Sequence, residues 1–72
     1  MMMHIERRYR CEVFDRENKL CCERIFHSFT DCIAIERAAW FLTRGQCGRG
    51  IKVELWRGPD KLFEKSRCLD IL

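Results

Sequence analysis

The residues of greatest chemical interest in this sequence are its cysteines, which number six in 72 residues. They are Cys11, Cys21, Cys22, Cys32, Cys47 and Cys68. An even number of cysteines in a short chain can form disulfides, and cysteines can also hold zinc. Zinc sites usually include two close ligands, such as two cysteines separated by two residues, and this spacing does not occur here. Reduced cysteines pack as small apolar side chains, so we predict packing roles, no metal and no cofactor.

Catalysis by a cysteine thiol requires a nearby base. The two histidines, His4 and His27, are not spaced so that either pairs with a cysteine. The acidic residues are interleaved with basic ones, and no pair of carboxylates lies in an apolar setting that would shift a pKa. We therefore predict that the protein is not an enzyme.

A glycine-rich loop with basic flanks, TRGQCGRGIK, is the second candidate for chemistry. The backbone N–H groups of such loops can bind phosphate. Phosphate-binding loops follow a strand and open a helix, whereas this loop follows a predicted helix and opens a strand. Its position therefore argues against a phosphate site, and Gly45 already has a role as the cap of the helix.

Basic residues in the strands and the loop could instead bind nucleic acid. The set consists of Arg7, Arg8, Arg10, Arg49, Lys52 and Arg57. Tyr9 or Trp56 could add a surface on which bases stack. The net charge of +3 is mild, and Glu6, Glu12 and Glu54 are expected on the same face as Arg8 and Arg10. Nucleic-acid binding is thus the alternative function rather than the leading one.

Composition describes one folded domain over residues 1–72, with 47% hydrophobic and 35% charged residues. No apolar run approaches the roughly 20 residues that span a bilayer, so we predict no membrane contact. The first residues, MMMHIERRYR, lack the apolar segment of a secretory signal. We therefore expect a cytoplasmic protein whose core, at this length, is marginal.

Alternation of apolar and polar residues predicts strands over about 5–14, 20–29, 51–57 and 61–66. Asp15 and Asn18 suit a hairpin turn, with Asn18 in the left-handed conformation. Thr30 is a suitable N-cap for a helix over about 31–43. The predicted fold class is α+β, in the order ββαββ. One helix covers one face of a four-stranded antiparallel sheet, and a right-handed crossover gives the strand order 2-1-3-4.

The helix has an apolar stripe that can cover the sheet. The stripe contains Ala34, Ile35, Ala38, Phe41 and Leu42. Ile33 and Trp40 lie on the opposite side of the helix. Strand 2 carries apolar residues on both of its faces, so its register stays open.

Several of these features resemble a group of small bacterial proteins of about 70 residues that have no assigned activity. The resembling positions are Tyr9, Phe14, Asp15, Asn18, Thr30, Asp31, Ala34, Ile35, Ala38, Glu54, Leu55, Trp56 and Gly58. That group has a YFLD-like strand and turn, an AI-A-A helix and an ELW-G hairpin. The resemblance implies the fold and no mechanism. The cysteines, the glycine-rich loop, Ile33 and Trp40 depart from the pattern.

The sheet face that the helix leaves uncovered is predicted to carry Phe14, Trp56 and Phe63. We expect Trp56 opposite Lys61 and within reach of Phe63. Monomers seldom expose an apolar patch of this size. The patch could be covered by a second copy, by another protein or by the tail with Leu69, Ile71 and Leu72.

The sequence therefore favours a non-catalytic module that associates with itself or with another protein. A homodimer is the expected form, because a marginal core gains stability from a partner. Ile33 and Trp40 offer a second, smaller contact surface.

Overall fold

A computed structural model gives the fold and describes residues 6–43 and 50–66. The elements are β1 (Arg7–Phe14), β2 (Leu20–Ser28), α1 (Asp31–Thr43), β3 (Lys52–Arg57) and β4 (Asp60–Ser66). The four strands form one antiparallel sheet in the order β2-β1-β3-β4. This confirms the predicted ββαββ order and α+β class, and the strand order is also as predicted.

The turn between β1 and β2 forms as its sequence predicts. Oδ1 of Asp15 accepts hydrogen bonds from the backbone N–H groups of Glu17 at 2.8 Å and Lys19 at 2.9 Å. Asn18 has a φ of 64°, in the left-handed region that asparagine tolerates. Nζ of Lys52 donates to Oδ1 of Asn18 at 3.0 Å, which ties the turn to β3.

The helix begins where the capping signal places it. Oγ1 of Thr30 accepts a hydrogen bond from the N–H of Ile33 at 3.2 Å, which satisfies a donor that the first helical turn leaves open. The carbonyl of Thr30 accepts from the N–H of Ala34, also at 3.2 Å. Ser28 donates its hydroxyl to the same carbonyl at 3.0 Å. Hydrogen bonds from Ser28 at the end of β2 and from the first turn of the helix thus both fix Thr30 at the start of α1.

The core lies between α1 and one face of the sheet, called here the helix side. Its buried side chains are Tyr9, Cys11, Val13, Phe26, Ala34, Ala38, Leu42, Val53 and Leu55. Ile35 and Phe41 are half-buried against this cluster, so the predicted apolar stripe does face the sheet. The two alanines lack bulk, which allows the helix to approach the strands closely. The ring of Phe26 stacks on Tyr9 at 5.7 Å and meets Phe41 edge-on at 6.1 Å.

A register shift in β2 settles the pairing that the sequence left open. Tyr9 pairs with Phe26 and Val13 with Cys22, so these β2 residues share the helix side. The pairing then skips one residue, and Phe14 lies opposite Leu20. Because a bulge of one residue reverses the alternation of side chains, Leu20 lies on the face away from the helix.

A second register shift corrects the prediction for Phe63. The sequence places Phe63 on the uncovered face, because Phe63 is two positions from Lys61 and residues two apart share a face of a regular strand. Lys61 does lie opposite Trp56, as predicted. In the structure the pairing shifts between Leu55 and Trp56, and Phe63 pairs with the buried Leu55. Phe63 therefore packs against the core on the helix side.

Some predicted features fall on residues outside the described ranges. They are His4, Gly45, Cys47, Arg49, Cys68, Leu69, Ile71 and Leu72. In the described part of the chain, no helix has both the length and the apolar character needed to cross a membrane.

Candidate interaction surface

The sheet face opposite α1, called here the outer face, is organised in three rows of side chains that run from β2 to β4. The first row is Ile25, Arg10, Trp56 and Lys61. The second, called here the glutamate row, is Glu23, Glu12, Glu54 and Glu64. The third is Leu20, Phe14, Lys52 and Ser66. A band of carboxylates therefore crosses the middle of the face on which a continuous aromatic patch was expected.

On the β1 side of the outer face, Arg10 compensates two members of the glutamate row. Nε of Arg10 lies 3.1 Å from Oε2 of Glu12 and 3.8 Å from Oε2 of Glu23. These side chains are partly open to water, where single ion pairs contribute little. The arrangement nevertheless places a cation beside like charges that would otherwise repel across adjacent strands.

On the β3 and β4 side, two lysines have the same role. Nζ of Lys52 lies 3.3 Å from Glu54, and Nζ of Lys61 lies 3.8 Å from Glu54 and 2.8 Å from Glu64. The hydrogen bond between Lys61 and Glu64 raises the pKa of the lysine and lowers the pKa of the glutamate. Both groups are thus held in their charged forms.

Trp56 is half-buried on the outer face because charged neighbours cover its ring. The guanidinium carbon of Arg10 lies 5.4 Å from the ring centroid, and Nζ of Lys61 lies 5.9 Å from it. Both distances are within the range of cation–π attraction. The indole Nε1 donates to Oε1 of Glu54 at 3.2 Å. Intramolecular contacts therefore cover part of the Trp56 side chain, which the sequence left open to a partner.

Phe14 is also half-buried, with Nζ of Lys52 at 4.9 Å from its ring centroid. Phe14 and Trp56 lie in different rows with the glutamate row between them, and Phe63 lies on the helix side. The expected continuous patch of these three aromatic residues is therefore not formed. The reason is the register shift between Leu55 and Trp56, which breaks the regular β3–β4 alternation.

Exposed apolar surface lies elsewhere, on β2 and on the helix. The exposed fractions are 52% for Leu20, 46% for Ile25, 51% for Phe29, 47% for Ile33 and 53% for Trp40. This group is called here the exposed set. Leu20 and Ile25 lie on the outer face of β2, and Phe29 directly follows that strand. Alternation in the sequence alone does not identify these three residues, because their position depends on the register of β2.

Ile33 and Trp40 project from the helix away from the core, as predicted. Trp40 lines a groove of about 280 Å³ together with Glu36, Arg37 and Phe41. The guanidinium carbon of Arg37 lies 4.5 Å from the ring centroid of Phe26 on β2. This contact places the Arg37 side of the helix over β2.

The basic residues of the nucleic-acid alternative do not gather on one face. Arg8, Arg10 and Lys52 lie on the outer face. Arg7 and Arg57 instead contact Asp31 at the start of α1.

On the helix side, Asp31 is the centre of a charged cluster. Nη1 of Arg57 lies 2.7 Å from Oδ2 of Asp31, Nη1 of Arg7 lies 3.4 Å from Oδ1, and the hydroxyl of Tyr9 donates to Oδ1 at 2.6 Å. The hydrogen bond from Tyr9, followed by the contacts with Arg57, lowers the pKa of Asp31. Burial, followed by the hydrogen bond to Asp31, raises the pKa of Tyr9.

The cysteines and acidic groups of the described residues form no visible reaction centre. Cys11 is fully buried, and burial raises its pKa to about 12. Its thiol is therefore protonated at neutral pH, which is a poor state for a nucleophile. Over residues 6–43 and 50–66, no three His, Cys, Asp or Glu side chains are arranged to hold a metal ion.

Comparisons with known proteins do not place this chain in a family. No family model, curated protein or solved structure matches it. The resemblance to the small bacterial proteins of about 70 residues stays a prediction.

Proposed function

We propose that this chain is a small, non-catalytic interaction module that forms a homodimer by burying the exposed set. The observation that carries the proposal is that, within residues 6–43 and 50–66, five large apolar side chains are each about half exposed. Fully burying one such side chain is worth about 1.5–3 kcal/mol. Covering the exposed halves would thus contribute roughly 1 kcal/mol for each side chain, before the costs of association.

The size of the core supports association as the reason for this surface. A domain of this length buries only about 60% of the surface of its unfolded chain. Small domains commonly gain further stability from oligomerisation. The module is proposed to act in the cytoplasm, since the free thiols of Cys11 and Cys32 fit a reducing compartment.

Nucleic-acid binding, the alternative, has less physical support. Arg57, Arg10 and Lys52 each contact a carboxylate within the chain. Binding phosphate with these groups would require the ion pairs to be exchanged or shared. A titration with mixed-sequence nucleic acid at two salt concentrations tests the alternative, because phosphate contacts weaken steeply as salt rises.

Sedimentation velocity over a dilution series tests the homodimer directly. The expected result is a mass that rises toward twice that of one chain as concentration increases. Leu20→Lys and Trp40→Lys, which place a charge in the exposed set, should shift the equilibrium toward monomer. Asp60→Lys on β4 is the matched control and should leave it unchanged. A wild-type chain that stays monomeric at high micromolar concentration would overturn the proposal.

A further inference from the structure

The two edges of the sheet differ in how well they could pair with another strand. In the described part of the chain, β2 and β4 are the outer strands. An edge strand presents backbone N–H and C=O groups that can pair with a further strand, and charged residues usually block this. β4 carries Asp60, Lys61, Glu64 and Lys65, and its pairing is shifted near Leu62.

β2 has the opposite character. It spans Leu20–Ser28, longer than β4, and has charged residues only at Glu23 and Arg24. Leu20 and Ile25 are exposed along it, and Phe29 follows its end. β2 is therefore the edge that resembles an interface rather than a protected border.

We infer that two copies of this chain pair along β2, antiparallel and related by a two-fold axis, so that one continuous sheet runs through both copies. The inference rests on the proposed self-association and names the strand and register through which it occurs. A two-fold interface uses the same surface on both copies, so each contact occurs twice. The β2 strand must therefore be complementary to itself.

Charge excludes two of the registers in which β2 could pair with itself. Residues directly opposite each other in an antiparallel pair share a face. For the outer faces of the two copies to lie on the same side, the two-fold axis must therefore be placed at one residue, which then lies opposite the same residue of the second copy. With the axis at Glu23, the carboxylates of Glu23 in the two copies lie opposite each other. With the axis at Arg24, the two Arg24 guanidinium groups do. Like charges in such pairs are destabilising.

An axis at Ile25 avoids both conflicts. It places Ile25 against Ile25 of the second copy, and this side chain is 46% exposed in the single chain. It also places Glu23 opposite His27 of the second copy, and Arg24 opposite Phe26 of the second copy. An imidazole N–H can donate to a carboxylate, and Phe26, which is buried in the core of its own copy, brings no like charge to Arg24.

Both members of the Glu23–His27 pair are accessible on the outer face. The side chain of Glu23 is 45% exposed, and its Oε2 lies 3.8 Å from Nε of Arg10. His27 is exposed and lies opposite Arg8 of its own chain. Glu23 and His27 are four positions apart along an extended strand, at about 3.3 Å per residue, so they do not touch within one copy.

A charge-exchange experiment tests this register. The single variants Glu23→Lys and His27→Glu should each weaken the dimer roughly tenfold, because the altered pair occurs twice and each like-charge or lost contact costs a fraction of a kcal/mol. The double variant, which pairs lysine with glutamate across the interface, should recover most of the wild-type affinity. Asp60→Lys on β4 is the control and should leave the affinity unchanged.

The readouts separate this inference from the proposed function. Sedimentation gives the dimer constants, and circular dichroism of each variant shows whether it is folded; Glu23→Gln replaces Glu23→Lys if the latter unfolds, with a smaller loss expected. A wild-type dimer that the single variants leave intact, or that the double variant does not restore, overturns pairing at Ile25 while self-association stands. A wild-type monomer at every concentration overturns both.

Discussion

Arg57 at the end of β3 contacts both carboxylate oxygens of Asp31 through one guanidinium nitrogen, at 2.8 Å from Oδ1 and 2.7 Å from Oδ2. The same carboxylate accepts the hydroxyl of Tyr9 from β1 at 2.6 Å. The start of α1 is therefore joined to two neighbouring strands through one side chain. A carboxylate in the first helical turn is also favoured by the helix dipole.

Replacement of Asp31 by asparagine should lower the free energy of unfolding at pH 7, and the loss should shrink in acid. Because the pKa of Asp31 is lowered in the fold, its stabilising contribution is present above the ordinary aspartate pKa of about 4. The contribution disappears as pH falls through the lower folded value. Urea unfolding of wild type and Asp31→Asn between pH 7 and pH 2.5 measures this difference.

A double-mutant cycle provides the control for that prediction. Arg57→Gln should also destabilise the fold at pH 7, and adding it to Asp31→Asn should cost less than the sum of the single changes. Strict additivity would mean that the two side chains do not interact in solution.

Removal of the Tyr9 hydroxyl should show how much its hydrogen bond to Asp31 contributes to the free energy of unfolding. Tyr9→Phe keeps the buried ring, which is 1% exposed, and removes the hydrogen bond to Asp31. We expect a loss of about 1–2 kcal/mol at pH 7. The pKa of Tyr9 is raised in the fold, so the wild type should lose stability as pH rises above about 10, where the phenol of the unfolded chain ionises while the folded one stays protonated.

Stability measured at alkaline pH separates the loss of the hydrogen bond from the ionisation of Tyr9. Thermal unfolding between pH 8 and pH 11 should show the wild type approaching the stability of Tyr9→Phe as pH rises. A constant difference between the two proteins over that range would contradict the ionisation argument.

The elements of this fold could be predicted from sequence because local signals agree with one another. Thr30 identifies the helix start, and Asp15 and Asn18 identify the first turn. In each case a side chain satisfies backbone groups within a few residues, so the cause lies in the local sequence. The strand order followed from the general preference for right-handed connections.

The surface was harder to predict because two register shifts decide it. Leu20 and Phe63 each lie on the face opposite to the one that simple alternation gives. A bulge depends on how two distant strands fit together, and no local signal in KLFEK or KLCCE marks it. The glutamate row is a further result of pairing, since its four residues come from four strands.

Gly58 offers a test of backbone strain without side-chain clashes. Its φ is 61°, and a Cβ built there would meet nothing within 4 Å. Gly58→Ala should therefore cost about 1–2 kcal/mol from the left-handed conformation alone. Gly58→Asn should cost less, because asparagine tolerates this region. Chemical denaturation of both variants measures the difference, and equal losses would point to a cause other than φ.

Cys11 should be chemically inert in the native protein. It is fully buried with its pKa raised to about 12, whereas Cys32 is exposed on the helix. Iodoacetamide at pH 8 should modify Cys32 in the folded state and Cys11 only after unfolding. Peptide mass spectrometry of native and denatured samples locates the label. Equal rates of labelling at both positions would show that the core opens readily at Cys11.

Trp56 should matter for folding and not for self-association. Its ring contacts Arg10 and Lys61, and its N–H is bonded to Glu54. Trp56→Ser removes the ring and these contacts, with an expected loss of about 2 kcal/mol. Trp56→Phe keeps a ring between the two cations and should lose less.

Ile25→Lys on β2 should affect self-association rather than folding, which is the reverse of the result expected for Trp56→Ser. A lysine on an edge strand opposes pairing with a second strand, so this variant should weaken the dimer and change the stability of the single chain little. Urea unfolding at a low concentration and sedimentation at a high one measure the two properties separately. If Trp56→Ser dissociates the dimer while Ile25→Lys does not, the contact lies on the centre of the outer face rather than along β2.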